Sequence, residues 1–253
     1  MPPPGARLFD RVAAPRWTAL TAASILAFAA IGMTTPPVAP AAPQAHLVGV
    51  VGVTLTHAGH AGAARIGSPV VRDDRVSVAA GGAATLVIGP SEIRLAGGAS
   101  IEIERIDPDE VAIIQRAGRA WYRVAPATAG SFTVRAATVS WTTGAAAFDL
   151  ARVALGGGRE RLTTVAIEGS LRFDGPDLAG SLAEGRRASV TVGDELPDIA
   201  IGDVTRVDLA DPWLVENARL DAEGGRPLGI FSGLPAATNR PPTILGSAAA
   251  AVP

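Results

Sequence analysis

Few side chains in this sequence stand where they could do covalent or metal chemistry. His57 and His60, in Thr56-His57-Ala58-Gly59-His60, have a spacing that can hold a metal ion. Metal sites take three or four protein ligands, and no carboxylate or third imidazole stands near this pair; His46 is set apart by a stretch that reads as a strand. The pair is read as loop histidines, with a metal site as the alternative. The acids Asp73-Asp74, Asp107, Asp109-Glu110, Asp174, Asp177, Asp194 and Glu195 mostly adjoin Gly or Pro, where Asp bonds to its own backbone and favours a turn. Nothing singles out two of them as the paired carboxylates of a glycosidase. No D-x-D-x-D run marks a calcium loop. Ser91, Ser140 and Ser170 lack the G-x-S-x-G setting of a nucleophile. Gly156-Gly157-Gly158 precedes Arg159-Glu160 rather than Lys-Ser/Thr, which reads as a hairpin loop and not a phosphate cradle. The expectation is a protein that is not an enzyme, with no catalytic residue, metal or cofactor.

Composition narrows the classes further. The net charge is −2 and the pI about 5.9, so the basic footprint of a nucleic-acid binder is missing. All 22 basic side chains are Arg, and there is no Lys. Cys is absent as well, which removes disulfides, thiol catalysis, cysteine metal sites and lipid attachment through an amino-terminal Cys. Hydrophobic residues make up 48% of the chain, enough for a core that must hold by burial and strand pairing alone.

Those features have to be carried by β-structure. Ala117–Leu150 (AGRAWYRVAPATAGSFTVRAATVSWTTGAAAFDL) holds two of the four Trp, the only Tyr and two of the six Phe, and reads as four short strands broken at Pro126, Gly130 and Gly144. A period of two puts Tyr122 and Val124 on one face, Trp121 and Arg123 on the other, and repeats in Phe132/Val134, Val139/Trp141 and Phe148/Leu150. Upstream, His46–Thr56 reads as a strand, His57–Ala64 as a Gly/Ala loop, Asp73-Asp74 as a turn, and Ala84–Ile88, Ile93–Leu95, Ile101–Glu104 and Val111–Gln115 as strands. Downstream, Leu162–Ile167, Ser170–Phe173 and Ala188–Val192 continue the pattern. Short strands at such spacing predict an all-β domain, either a multi-stranded antiparallel sandwich or a short twisted β-solenoid. One helix is expected to close it. Asp211 offers an N-cap and Pro212 a first helical residue, Trp213, Leu214, Asn217, Ala218 and Leu220 follow at helical spacing, and Gly224-Gly225 ends the run.

The ends have another character. Arg7, Arg11 and Arg16 precede an uncharged run, Trp17–Thr35, whose strong hydrophobes are Leu20, Ile25, Leu26, Phe28, Ile31 and Met33. As a helix its 19 residues would span roughly 28 Å, about a hydrocarbon core. Basic residues before it, and none after it until Arg65, place the amino terminus in the cytoplasm and the remainder outside. Ala39-Pro40-Ala41 leaves a cleaved signal peptide open as the alternative, with a secreted product. The expected organisation is a cytoplasmic segment 1–16, an anchor or signal 17–35, a Pro/Ala linker 36–45, a β domain 46–202, a closing helix segment 203–225 and a disordered tail 226–253.

Several stretches, taken in order, resemble the FecR-like domain of bacterial envelope signalling proteins. They are Ile88–Leu95 (IGPSEIRL), Ala117–Val124 (AGRAWYRV), Phe132–Ala136 (FTVRA), Gly144–Leu150 (GAAAFDL), Val165–Phe173 (VAIEGSLRF), Gly185–Val190 (GRRASV) and Asp211–Asp221 (DPWLVENARLD). The last is similar to the Trp- and Asn-bearing helix often found after that domain. Departures are also visible: Ala145 stands where the family usually has Thr, only about 16 residues precede the apolar run, where founding members carry an anti-sigma domain, and the end lacks the small αβ contact domain of transducer-linked members. The resemblance implies envelope signalling or regulation through protein–protein contacts, with a membrane partner in an anti-sigma or sigma-linked system. Trp213 and Asn217 are the two candidates for the partner contact, Trp213 being read first as packing against the sheet. An exported structural or ligand-binding β module without a transcriptional role is the alternative.

Overall fold

The computed structural model describes residues 44–126, 130–193 and 197–232. Among them, thirteen strands join in one sheet. The first six are β1 (Ala45–His57), β2 (His60–Ala63), β3 (Arg75–Ile88), β4 (Ser91–Leu95), β5 (Ser100–Ile106) and β6 (Glu110–Val124). Then come β7 (Ser131–Ala136), β8 (Val139–Thr143), β9 (Ala146–Gly156), β10 (Arg159–Gly175), β11 (Leu178–Ala183), β12 (Arg186–Val192) and β13 (Asp198–Asp203). A one-turn helix α1 (Arg206–Leu209), the helix α2 (Pro212–Glu223) and a 3-10 turn at Gly229–Phe231 follow.

The sheet closes on itself because its long strands change neighbours midway. The first half of β6 lies between β5 and β7, and its second half between β4 and β9. Since β3 pairs with both β4 and β5, one ring runs β3–β5–β6–β4. Since β10 pairs with both β8 and β9, a second runs β6–β9–β10–β8–β7 and shares β6 with the first. The switch points are β-bulges, each followed by a glycine of positive φ. In β6 the register slips at Arg116 and Gly118 has φ 75; in β10 it slips after Ala166 and Gly169 has φ 76. A Cβ at Gly118 would meet the Ala99 Cα at 2.5 Å, and one at Gly169 the Ala145 carbonyl oxygen at 2.6 Å, so space as well as φ demands glycine. Gln115 repairs the bend in β6. Fully buried, it donates to the carbonyls of Gly118 and Leu150 at 2.8 and 3.0 Å and accepts the Tyr122 hydroxyl at 2.9 Å. Every hydrogen-bonding group of its amide is thereby engaged by atoms the bulge would otherwise strand.

Three expectations need correction. The predicted short strands at Val111–Gln115 and Ala117–Val124 are the two halves of one bent strand. The sheet is not wholly antiparallel, since Glu110–Gln115 pairs in parallel with Ser131–Ala136. A parallel neighbour needs a long crossover, and here the second half of β6 forms part of the chain between the two paired stretches. The expected loop His57–Ala64 is a hairpin, with β2 paired to Thr54–His57 through the turn Ala58-Gly59.

The period-two reading of the aromatic stretch holds. Tyr122, Val124, Phe132, Val134, Val139, Trp141, Phe148 and Leu150 are all buried in the main core. The Tyr122 ring stacks on Phe148 at 4.8 Å and meets Phe132 edge-on at 6.2 Å. The opposite face is covered as well. Trp121, Ala147, Val165 and Ile167 form a second apolar cluster with Leu214, Ala218 and Leu228, so α2 and the chain beyond it roof the outer face of β6, β9 and β10. Chain expected as tail therefore takes part in packing as far as Phe231.

Candidate functional site: the seat of the C-terminal helix

α2 starts where the sequence places it. The Asp211 carboxylate accepts from the backbone N–H groups of Trp213 and Leu214, Pro212 is the first helical residue, and Gly224 is the C-cap. Only Leu214 and Ala218 give the helix a buried apolar edge, which is little for twelve residues. Trp213 packs beside them, and ion pairs tie both ends of the helix to the sheet.

At the amino-terminal end, Arg119 of β6 bridges two carboxylates. Its Nε donates to both oxygens of Asp149 at 3.0 and 2.9 Å, and its Nη1 to both oxygens of Asp211 at 3.1 and 3.0 Å. The Trp213 indole N–H donates to the same Asp149 at 2.9 Å. Asp149 is 1% exposed. At the other end, Arg94 of β4, itself buried, donates to the Asn217 carbonyl at 2.9 Å and to Asp221 at 2.6 Å, and its Nε reaches Glu92 at 2.6 Å. Arg226, just past the helix, closes the circuit on Glu92 at 2.7 Å. Asp221 is fully buried.

The two candidate contact residues both lie in this seat. Trp213 is half-buried, with its indole N–H on Asp149. Asn217 is 1% exposed, and its amide donates to the Trp213 carbonyl at 2.7 Å. The residues that hold them, Glu92, Arg94, Arg119, Asp149 and Asp221, went unremarked in the sequence. Glu92, Arg94, Arg119 and Asp149 occupy outward positions of their strands, where a charge reads as solvated, while Asp221 shares the sheet-facing edge of α2 with Leu214, Asn217 and Ala218. Only the docking of α2 on that outward face makes it interior.

The histidines do not converge. His57 Nδ1 lies 2.6 Å from the buried carboxylate of Asp74, while His60 Nδ1 faces the Ala58 carbonyl of its own turn at 3.1 Å. Among the described residues no group of three or more His, Cys, Asp or Glu is placed to hold a metal. The anchor candidates Trp17, Leu20, Ile25, Leu26, Phe28 and Ile31, the Ala39-Pro40-Ala41 motif and the tail beyond Ser232 lie outside the described residues. Among those described, no helix is long and apolar enough to cross a membrane.

Burial at Asp149 has a consequence for pH. It pushes the carboxyl from its ordinary 3.8 up to about 6, against the opposing pull of Arg119 and Trp213. Between those values the folded chain holds a proton that the unfolded chain has released. Stability should therefore fall as pH rises from about 4 to about 6 and stay lower above that. A separation of roughly two pH units corresponds to a loss on the order of 3 kcal/mol. Glu92, where burial is outweighed by hydrogen bonds from Arg94 and Arg226, and Glu102, held down by Arg116 and Arg75, act in the opposite sense at lower pH. Asp149→Asn should flatten the slope between pH 5 and 6 in urea denaturation, and a slope that survives the substitution would assign it to another group.

The class defined by these features is an all-β domain whose sheet closes on itself and carries a docked helix on its outer face. No protein-family model matches the chain, and neither does any curated protein. Two crystal structures of "a putative anti-sigma factor from Parabacteroides distasonis", at 1.65 and 2.50 Å resolution, are similar at 16% identity with TM-scores of 0.43 and 0.41. Each match covers 51% of this chain and 59% of the other, so the chain spans about three fifths of these solved neighbours.

Proposed function

We propose that the chain is an extracytoplasmic FecR-like regulatory domain, tethered to the membrane through residues 17–35 and acting by protein–protein contact rather than catalysis. One observation carries the reading. The segments that resemble the family supply the seat of the helix among them: Glu92 and Arg94 from IGPSEIRL, Arg119 from AGRAWYRV, Asp149 from GAAAFDL, and Trp213, Asn217 and Asp221 from DPWLVENARLD. Stretches far apart in sequence, each weak as a motif, meet at a single place. A domain of this kind needs a membrane or envelope partner to pass a signal inward, in an anti-sigma or sigma-linked system.

Capture of the full-length protein from detergent-solubilised membranes of its own cell is the test. Recovery of a sigma factor or anti-sigma factor supports the signalling role, and recovery of neither under conditions that retain other membrane complexes sinks it. The tether is tested separately. The native protein should stay with membranes through carbonate extraction, whereas an intact mass that places the mature amino terminus near Ala42 would mean a cleaved signal and a released domain.

A further inference from the structure

A second place on the surface has the makings of a small-ligand site, and it is independent of the helix seat. On the outer face of β7, β8 and β10 the register aligns Thr133, Thr142 and Arg172 in one cross-strand row. Continued by one pleat, the same register sets Gly144 between Ser131 of β7 and Ser170 of β10. Gly144 has no side chain, and a Cβ built there would meet nothing within 4 Å. The gap is a shallow depression of about 390 Å³, lined by Ser131, Thr142, Thr143, Gly144, Ser170 and Arg172.

The polar groups around it are left with capacity. The Thr143 hydroxyl is engaged, donating to the Ser170 carbonyl at 2.9 Å and accepting the Ala145 N–H at 3.2 Å. The Thr142 hydroxyl shares one bond with Thr133 at 3.2 Å. The hydroxyls of Ser131 and Ser170 and the guanidinium of Arg172 have no side-chain or backbone partner among the described residues. Most arginines among the described residues are paired: Arg75, Arg94, Arg105, Arg119, Arg123, Arg135 and Arg152 all hold carboxylates, while Arg161, Arg172 and Arg206 do not. Among the described residues Arg172 is exposed and holds none, although Asp174 stands two residues along the same face.

We propose that this depression binds a carboxylate borne by a small polar molecule or a chain end, with Arg172 gripping the carboxylate and Ser131, Thr142 and Ser170 taking adjacent polar groups. The fork of a guanidinium matches a carboxylate in two parallel hydrogen bonds. A single cation with one acid on the same face suits a monoanion better than a doubly charged phosphate. Two sources share that chemistry, a uronic acid and a peptide carboxyl terminus.

Saturation-transfer NMR on the full-length protein in detergent would test it, with glucuronate, acetyl-alanyl-alanine and inorganic phosphate titrated in parallel. Saturable binding of glucuronate or of the peptide is expected, and which of them binds identifies the source. Arg172→Gln should weaken that binding at least about tenfold, and Gly144→Leu should do the same by filling the gap without touching Arg172. Arg161→Gln, which removes a different exposed arginine, should leave it unchanged. No saturable binding of either carboxylate, equal binding of phosphate, or affinity that survives both Arg172→Gln and Gly144→Leu would overturn the proposal.

Discussion

Replacing Arg94 with methionine should destabilise the domain by about 3–5 kcal/mol, the range for removing one partner of a buried ion pair. The substitution keeps much of the aliphatic stem and removes the charge. Asp221, fully buried, then has only Arg226 at 3.8 Å, and the Asn217 carbonyl loses the hydrogen bond from the guanidinium. Most of the penalty comes from the carboxylate left behind rather than from the net worth of the pair. The double variant Arg94→Met, Asp221→Leu should therefore recover much of the loss, because it leaves no buried charge there. Urea denaturation of the wild type, both single variants and the double variant gives the coupling directly. If the single variants cost under about 1 kcal/mol and add, the ion pair does not hold α2 in its seat.

Trp141→Ala and Phe148→Ala should each cost a similar amount, for a different reason. Both side chains are 1% exposed, and Phe148 is one half of the stacked pair with Tyr122. Truncating a core aromatic to Ala removes buried area and leaves a cavity, about 3–5 kcal/mol, out of a total stability of about 5–15 for a domain. Loss of soluble expression, or a denaturation midpoint far below wild type, is the expected outcome. Arg135→Ala and Arg172→Ala are the comparison. Arg135 loses a partly exposed pair with Glu104, Arg172 is exposed, and each should cost under about 1 kcal/mol. A Trp141→Ala protein as stable as wild type would mean that the pleat of β8 is out of register by one residue.

How far sequence carries the fold can be seen in these same residues. The alternation through Tyr122, Phe132, Trp141 and Phe148 is local chemistry, since a strand's side-chain period does not depend on its neighbours. The four residues duly share one core. The helix was equally legible, because Asp211, Pro212 and Gly224 act within one turn of the backbone they cap. Local pattern could not say that β6 bends at Gly118 and returns to make Ser131–Ala136 its parallel neighbour. A bulge takes its meaning from the strands on either side of it, here β5 and β9, which are distant in sequence. Nor could it show β11 and β13, whose sequences, LAGSLA and DIAIGD, have too little apolar character to announce strands before β10 and β12 offer them an edge.

The helix seat lies furthest from what sequence reveals. By itself the sequence determined a Cys-free, mostly β chain with one capped helix and a core of alternating aromatics, because those are properties of short windows and of composition. Tertiary structure alone decided that Arg119, Asp149, Arg94 and Asp221 are interior. Arg94, Arg119 and Asp149 sit on the polar side of their strands, and a polar side stays in water unless something lands on it. Asp221 comes down with the sheet-facing edge of α2, beside Leu214 and Ala218. Here α2 lands on that polar side, and burial then turns ordinary surface charges into a paired set that no single window of the chain contains.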